Sequence, residues 1–457
     1  MTNRFLPYTI ACFPILLATP VAITQTVQSE NSKLIAADIQ PDDHFGESVD
    51  IHHGRIIIGA PSDWDNAIES GSAYLFNANS GTQIRKFLAS DAQDRASFGE
   101  SVAMNDDFIV ISAPHEHCAN TLMDCGAVYV YDANLGTQLY KLEPEAGFNT
   151  LDFGRSVAIE GSTIVVGAAR ETNSAGHLAG AAYVFDALTG QQLHHFHPTD
   201  TIDGDVFGSA VAIDNGIIAI SAPYQDQAAQ NSGAVYIYDS ATGTQLNKIL
   251  PENPIEDGLF GVSIAIENNV LLVGSTQPNI NFPDIRGAFL HDITTGEQLH
   301  ALLPSVTDPD DRFGISVALN QETAVVGAWA SGMAAYRAGA LYTFDIETGT
   351  ETGLYLAADA ASQAALGYAV AIQDNLIAAG AYQDNEMGTG AGAAYTFTVT
   401  NQCDIDLNMD GSIDFFDISI FLNAFNDSDP VADINQDGAF DFFDVSLFLS
   451  AFNAGCP

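Results

Sequence analysis

The chain has 457 residues, 47% hydrophobic and 10% aromatic, enough for one large domain with a core and a small second domain. Its formal net charge is −45, because 13 Lys and Arg stand against 58 Asp and Glu. Such a surface repels nucleic acid and anionic membranes and favours divalent cations and cationic partners, although the same charge also keeps a protein soluble in a salty medium.

Residues 1–28 have the pattern of a secretory signal. Arg4 gives a positive start, and a mostly apolar stretch interrupted by prolines follows to Ile23. Cleavage after Ala22 and cleavage after Ser29 both fit this pattern. No later apolar run of the sequence is long enough to span a bilayer. We therefore expect an exported protein, secreted or held at the cell surface.

A Phe-Gly pair recurs along most of the chain at spacings of 53 to 55 residues. The copies begin at Phe45, Phe98, Phe153, Phe207, Phe260, Phe313 and, as Leu-Gly, at Leu366. Fourteen residues after each copy a Gly-Ala-Pro-like turn begins, and each unit has the pattern of four short strands. Seven four-stranded antiparallel units close radially, so the sequence predicts an all-β, seven-bladed β-propeller over residues 33–399.

The two ends of the repeat array predict how the ring closes. Residues 33–37 match the fourth strand of other repeats, such as residues 86–89, and they precede the first Phe-Gly pair. The seventh repeat ends after its third strand, at residues 393–398. We therefore expect residues 33–38 to form the outer strand of the last blade.

The two recurring motifs resemble the FG-GAP repeat family, known from integrin α-chain heads and from many bacterial extracellular proteins. The resemblance implies a seven-bladed propeller and a role in extracellular binding. Integrin-type repeats often carry a D-x-D-x-D-G calcium loop between their second and third strands, and none of the seven corresponding loops here has that pattern. We expect pairs such as Asp63 and Asp65 to be solvated loop charges.

Residues 403–457 contain 11 Asp and no Lys, Arg or Glu. Two segments 27 residues apart fit the register of a calcium-binding loop, with oxygen ligands at alternate positions and a glycine at the sharp turn. The expected ligands of the first loop are Asp406, Asn408, Asp410, the carbonyl of Ser412, Asp414 and Asp417. Those of the second are Asp433, Asn435, Asp437, the carbonyl of Ala439, Asp441 and Asp444. The alternative is an acidic disordered tail.

A Phe-rich segment with helical spacing follows each loop, which favours two helices sharing a small core. The residues expected in that core are Phe415, Ile418, Leu422 and Phe425, with Phe442, Val445, Leu449 and Phe452. A second apolar patch is expected either to dock on the propeller or to bind a partner; it consists of Phe416, Ile420, Phe443 and Leu447. Because so small a core is weak alone, bound Ca²⁺ and a disulfide should add much of its stability.

This duplicated loop-and-helix unit, with Asp at loop position twelve and no entering helix, resembles dockerin domains. Dockerins bind cohesin modules and attach secreted proteins to scaffolds or surfaces. The resemblance implies calcium binding and a cohesin-like partner. Cellulosome-type dockerins have small hydroxyl residues where this chain has Phe415-Phe416 and Phe442-Phe443, so calcium binding is the firmer expectation.

Four cysteines follow the signal segment and fall into two pairs. Cys118 and Cys125 share one loop, and Cys403 and Cys456 bracket the C-terminal module. In an oxidising compartment both pairs are expected to form disulfides. The alternative for the first loop is a zinc site made of His115, His117, Cys118 and Cys125.

The sequence has no nucleophile elbow, P-loop or HExxH helix. Two further groups of polar residues stand out: His194, His195 and His197, expected as an exposed cluster, and Asp200, Asp203 and Asp205, expected as a cation site or part of a polar rim. We expect a monomeric, non-catalytic binding, adhesion or scaffold protein with an extracellular protein or polysaccharide as partner. The alternative is a polysaccharide-active hydrolase or lyase on a propeller, which should show a deep pocket with convergent His and carboxylate side chains.

Overall fold

The computed structural model describes residues 27–117, 124–144, 152–172, 177–275, 287–306, 311–399, 407, 414–427, 429–432, 440, 444–446, 448–449 and 452. Two short strands come first, β1 (Val27–Gln28) and β2 (Ser32–Leu34). The rest of the segment predicted as a signal lies outside the described residues, so that assignment stays a prediction.

The strands that follow are arranged in consecutive blades. The first blade is β3 (Ser48–His52), β4 (Arg55–Ala60), β5 (Ser72–Asn77) and β6 (Gln83–Phe87). The second is β7 (Val102–Met104), β8 (Phe108–Ala113), β9 (Ala127–Asp132) and β10 (Gln138–Leu142). The third is β11 (Phe153–Glu160), β12 (Thr163–Ala168), β13 (Ala181–Asp186) and β14 (Gln192–Phe196). The fourth is β15 (Val211–Asp214), β16 (Ile217–Ala222), β17 (Ala234–Asp239) and β18 (Gln245–Ile249).

Three more blades complete the ring. The fifth is β19 (Phe260–Glu267), β20 (Val270–Ser275), β21 (Gly287–Asp292) and β22 (Gln298–Leu302). The sixth is β23 (Phe313–Leu319), β24 (Thr323–Ala328), β25 (Ala340–Asp345) and β26 (Glu351–Tyr355). The seventh is β27 (Val370–Gln373), β28 (Leu376–Ala381) and β29 (Ala393–Thr398), with β2 as its outer strand. The seven sheets confirm the predicted all-β propeller.

The N-terminal strand closes the ring in the register that the sequence predicts. Strand β2 pairs antiparallel with β29 and places Lys33 opposite Tyr395, as β6 places Lys86 opposite Tyr74 in the first blade. The closing strand is Ser32–Leu34 rather than residues 33–38. Strand β1 was not predicted; it adds a fifth, parallel strand to the sixth blade by pairing with β26.

Close backbone contact between neighbouring blades explains why the two motifs recur together. A Cβ on Gly59, the first residue of a Gly-Ala-Pro turn, would lie 2.0 Å from the carbonyl oxygen of Gly99 in the next Phe-Gly pair. Gly99 itself has φ of +98°, which L side chains rarely adopt, and its N–H donates to the carbonyl of Ser112 at 2.8 Å. The glycines are therefore required where the blades meet.

The hydrophobic core lies between the blades. Seven clusters of buried side chains each join residues of two adjacent blades. The phenylalanine of each Phe-Gly pair is buried there and packs edge-to-face on a third-strand ring, as Phe98 does on Tyr129 with ring centroids 5.3 Å apart. The first strands line the axis, so one face of the ring carries the Phe-Gly turns and the opposite face carries the turns between first and second strands. We call these the FG face and the turn face.

The described part of the C-terminal segment is helical. Helix α1 (Phe415–Asp427) is followed by a 3₁₀ helix (Pro430–Ala432), and residues 444–446 and 448–449 are also helical. The rings of Phe421 and Phe448 stack at 4.1 Å between centroids, and both are buried. None of the helices in the described ranges is long and apolar enough to cross a membrane.

The predicted core face of α1 was wrong by about one position. Phe415 is 73% and Leu422 is 56% exposed, and Leu449 in the second copy is 53% exposed. The buried stripe instead contains Asp417, Phe421 and Ala424, with other predicted core residues packed against it, namely Ile418, Phe425, Val445 and Phe452. Phe442 lies outside the described residues. Phe415 is the first residue of α1, and the apolar spacing alone did not fix which of two adjacent stripes is buried.

Candidate functional site

A lysine, a tyrosine and carboxylates meet near the FG face of four blades. In the first blade the Lys86 ammonium donates to Asp63 at 2.8 Å, and the Tyr74 hydroxyl donates to the same carboxylate oxygen at 2.9 Å. Register explains the meeting, because Tyr74 on β5 and Lys86 on β6 are directly opposite. Asp63 is buried and also accepts from Ser72 at 2.7 Å. Asp63 is therefore an ion-pair partner and not the solvated loop charge predicted.

All four lysines of the chain occupy this position in their blades. Each lies over its cross-strand tyrosine and bonds to carboxylates: Lys86 over Tyr74, Lys141 over Tyr129, Lys248 over Tyr236 and Lys33 over Tyr395. The cation-to-ring distances of 4.7 to 5.5 Å place every ammonium within cation–π range. The ring-closing strand thus brings the seventh blade its lysine, which pairs with Asp359, Asp384 and Glu386.

Hydrogen bonding outweighs burial in the network of the first blade. Burial alone would lower the pKa of Lys86 and raise that of Asp63. The bonds from the ammonium to Asp63 and Asp65 outweigh it, so the pKa of Lys86 is raised and the pKa of Asp63 is lowered. Both groups are therefore charged at neutral pH. Removing Lys86 would leave Asp63 buried without a cation.

The third blade has histidines where these four blades have lysine. His195 is opposite Tyr183, and the Nε2 atoms of His195 and His197 each lie 3.0 Å from Oε1 of Glu171, a fully buried carboxylate. Burial alone would raise the pKa of Glu171, but hydrogen bonds with His195, His197 and Tyr183 hold it below its usual value. The prediction of an exposed histidine cluster was wrong for these two residues. Alternate residues of a strand point to opposite faces, so His194 does not join them.

A second group of polar and aromatic side chains surrounds the centre of the FG face. Glu47, Glu100, Arg155 and Tyr368 each directly follow a Phe-Gly or Leu-Gly pair, at the start of an innermost strand. Arg155 donates to Glu100 at 2.8 Å. We call these four residues, with Trp329 and Tyr382 of the adjoining Gly-Ala-Pro-like turns, the FG-face cluster.

The aromatic residues of the cluster are in contact with one another. The rings of Tyr368 and Tyr382 have centroids 4.4 Å apart, and Trp329 lies edge-on to Tyr368 at 6.3 Å. Burial, and then the charge of Glu47, raise the pKa of Glu100. The same two causes raise the pKa of both tyrosines. Shifted pKa values in one place are typical of functional sites.

The position after each Phe-Gly pair was the signal that sequence reasoning missed. Its neighbours recur in every blade, whereas this position varies through Glu47, Glu100, Arg155, Ser209, Val262, Ile315 and Tyr368. Because this position varies while its neighbours recur, the fold does not determine which residue stands there. The charged and aromatic members all fall in adjoining blades, the seventh and the first three.

The axis of the ring holds a cavity of about 260 Å³. Among the described residues that line it, Asp50 is the single charged one, and the others are apolar. Burial raises the pKa of Asp50 to about 7, although its carboxylate accepts hydrogen bonds from the backbone N–H groups of Met104 and Ile51. A larger cavity of about 600 Å³ opens on the turn face between the seventh and first blades, lined largely by amide and hydroxyl side chains.

Three predicted calcium ligands lie within the described residues. Asp417 and Asp444, at position twelve of their loops, are both completely buried. Asp414 is half-buried, and its N–H donates to a carboxylate oxygen of Asp417 at 2.9 Å. The remaining ligands lie outside the described residues: Asp406, Asn408, Asp410, Ser412, Asp433, Asn435, Asp437, Ala439 and Asp441. Calcium binding therefore stays a prediction.

The predicted partner patch is described only in its first half. Phe416 is 64% exposed, and Ile420 is half-buried on the same helix. Phe443 and Leu447 lie outside the described residues. Phe415, which was expected in the core, is exposed beside Phe416 and enlarges the apolar surface.

Cys125 is disulfide-bonded, whereas its expected partner Cys118 lies outside the described residues, as do Cys403 and Cys456. Both predicted pairings therefore stay predictions. His117 lies 3.4 Å from Asp124, and His115 lies 4.0 Å from Asp152.

The three acidic residues before Phe207 do not converge on one point. Asp200 pairs with Lys248 at 2.7 Å, Asp203 accepts from the N–H of Leu178 at 2.8 Å, and the buried Asp205 accepts from the N–H of Ile202 at 2.9 Å. They belong to separate contacts, so the expected cation site is not formed by these three together.

Comparison with known families agrees with this architecture: a propeller whose blades interlock through Phe-Gly and Gly-Ala-Pro turns. A family model described as FG-GAP repeat matches six segments, residues 29–76, 82–131, 137–185, 191–238, 297–344 and 350–397, which together cover more than half of the chain. The chain belongs to the FG-GAP repeat family. No curated protein matches it. The unmatched stretch 239–296 includes most of the fifth blade, where Gly274-Ser275-Thr276 replaces Gly-Ala-Pro.

Proposed function

We propose that this protein is an exported, non-catalytic binding or scaffold protein. The propeller is its interaction platform, and residues 403–457 form a calcium-dependent module, similar to a dockerin, that attaches it to a surface or complex. The partner on the propeller is an extracellular protein or polysaccharide. Disulfides Cys118–Cys125 and Cys403–Cys456 belong to the same proposal, because they suit an oxidising compartment.

The observation that carries the proposal is the FG-face cluster. It places Trp329, Tyr368 and Tyr382 in contact on one partly exposed surface, and the charge of Arg155 acts on Tyr368. Tyrosine, tryptophan and arginine are the residues most enriched where binding energy concentrates. The axial cavity, by contrast, is small and apolar apart from Asp50. A binding surface at the centre of the FG face fits this arrangement better than a deep catalytic pocket does.

Two observations support the attachment module. Asp417 and Asp444 are buried carboxylates at position twelve of the two loops, where a calcium loop places an acidic ligand. Phe415 and Phe416 are exposed together on the first turn of α1, which suits contact with a cohesin-like partner.

The platform is tested with the full chain immobilised and exposed in turn to secreted proteins and to polysaccharides of the producing organism. Tyr368→Ser and Tyr382→Ser should lose the bound species that wild type retains. Leu188→Ser is the matched control, because Leu188 is exposed in a turn on the opposite face. Equal retention by the FG-face variants and the control would count against the FG face as the platform.

The attachment module is tested by retention of the full chain on the cells that produce it. Wild type should be retained in calcium and released by a chelator. Asp417→Asn and Asp444→Asn should be released in either condition, whereas Tyr368→Ser should still be retained. Retention that does not respond to the chelator would contradict a calcium-dependent module.

A second function has one specific observation in its favour. The pKa of Glu100 is raised by burial and by the neighbouring Glu47, as a general acid of a polysaccharide hydrolase or lyase requires. Incubation of the full chain with a panel of polysaccharides tests it. Release of new chain ends by wild type but not by Glu100→Gln would establish the enzyme, and no release by wild type would reject it.

A further inference from the structure

The Glu171 carboxylate and two imidazoles form a compact trio under the FG face of the third blade. The Nε2 atoms of His195 and His197 each lie 3.0 Å from Oε1 of Glu171. All three atoms lie within 4.8 Å of one another. Glu171 is fully buried, and the two histidines are mostly buried. Two nitrogens and one oxygen therefore converge on one small volume.

Comparison between blades shows that this volume is a cation site elsewhere in the ring. His195 occupies the strand position of Lys86, Lys141, Lys248 and Lys33, each opposite the tyrosine of the neighbouring strand. In the first, second and seventh blades the ammonium group supplies the positive charge beside a buried carboxylate, and in the fourth blade Lys248 pairs with the exposed Asp200. The third blade keeps the buried acid and the tyrosine but replaces lysine by two imidazoles.

We propose that Glu171, His195 and His197 bind a divalent transition-metal ion, and that zinc is the metal they fit best. Two imidazoles and one carboxylate are a common protein ligand set for zinc. The ion would supply the positive charge that lysine supplies in four of the other blades. A water molecule would complete the tetrahedral coordination.

The neighbours of the trio hold it in a conformation suited to a metal. The Tyr183 hydroxyl donates to the other carboxylate oxygen, Oε2, at 2.6 Å, which leaves Oε1 directed at the imidazoles. The Tyr183 ring also stacks on His195 with centroids 4.1 Å apart and planes 13° apart. Outer contacts of this kind orient the side chains that bind the metal and raise metal affinity.

Cobalt absorption tests the proposal on the full chain after chelator treatment, because Co²⁺ replaces Zn²⁺ and reports nitrogen ligands in its visible spectrum. Wild type should bind Co²⁺ with tetrahedral-type bands and release it to added Zn²⁺. His195→Gln and His197→Gln should weaken binding by more than the roughly 10–100-fold that loss of an outer contact causes. His194→Gln, on the same strand but the opposite face, should bind as wild type does.

His195→Lys separates loss of the metal from loss of the fold. It copies the first blade, so it should unfold at the same temperature as zinc-loaded wild type and should bind no Co²⁺. Wild type without cobalt bands, or bands that persist in His195→Gln and His197→Gln, would overturn the proposal. Bands abolished instead by His53→Gln would overturn it too, since they would assign the ion to the exposed trio His52, His53 and Asp106.

Discussion

The few lysines of this acidic molecule are all engaged in ion pairs. In a chain with net charge −45, each of the four lysines is paired with at least one carboxylate, and in the first, second and seventh blades one of these carboxylates is buried. Replacing a buried ion pair by apolar groups is often neutral, whereas removing one partner is strongly destabilising. Lys33, Lys86 and Lys141 therefore matter because each has a carboxylate partner that is already buried.

Lys86→Met should destabilise the propeller by about 3–5 kcal/mol, because it leaves Asp63 buried without its cation. Urea unfolding measures the loss. The double variant Asp63→Asn with Lys86→Met should recover most of the stability, since no uncompensated charge remains. A Lys86→Met protein as stable as wild type would show that the ion pair is dispensable.

Asp50 should make stability depend on pH. Its pKa is about 7 in the folded protein and near the ordinary 3.8 in the unfolded chain. Between these values the folded state holds a proton that the unfolded state does not, so stability falls as the pH rises from about 4 to about 7, by on the order of a few kcal/mol.

Asp50→Asn should remove that part of the pH dependence and be more stable than wild type at about pH 8. Urea unfolding at about pH 5 and about pH 8 measures the difference, and Asp374→Asn on the exposed turn face is the control. An Asp50→Asn variant with the same pH dependence as wild type would contradict the shifted pKa.

At the scale of elements, β2 determines whether the ring is closed. A chain beginning at Ile35 lacks the outer strand of the seventh blade and the cation of its network, Lys33. We expect it to be cut by protease within the seventh blade and to unfold at a clearly lower temperature.

The control for this truncation is a chain beginning at Glu30, which lacks only β1, a two-residue strand at the outer edge of the sixth blade. It should unfold nearly as wild type does. Equal protease resistance of both truncations would mean that β2 does not close the ring. Signal cleavage after Ala22 would retain β1, whereas cleavage after Ser29 would remove it.

The fold was predictable because two motifs recur at a fixed offset, and the copy of a fourth strand before Phe45 identified the closing strand. Strand β1 was not predictable, because two residues next to an apolar signal segment show no strand pattern of their own. The lysine networks were missed because Asp63 and Lys86 are simply two charges in an acidic chain until the register of β5 and β6 brings them together. Helix α1 was predicted, but its spacing fits two adjacent stripes.

At the scale of the whole molecule, the closed ring presents two faces with different surfaces. The FG face carries the FG-face cluster, and the turn face joins neighbouring blades by contacts such as Asn105 to the carbonyl of Gly161 at 2.9 Å. A platform with one specialised face and a separate calcium-dependent attachment module accounts for both parts of the chain. It also accounts for the 11 Asp of residues 403–457, because carboxylate oxygens are the ligands that Ca²⁺ prefers.

Calorimetric titration of calcium into the full chain tests this account most directly. Wild type should bind two calcium ions in the C-terminal loops, and Asp406→Ala and Asp433→Ala should each lose one, because each removes the first ligand of one loop. Asp65→Ala, in a propeller loop, should leave both sites intact. No calcium binding by wild type, or the same two sites in all four proteins, would contradict the account.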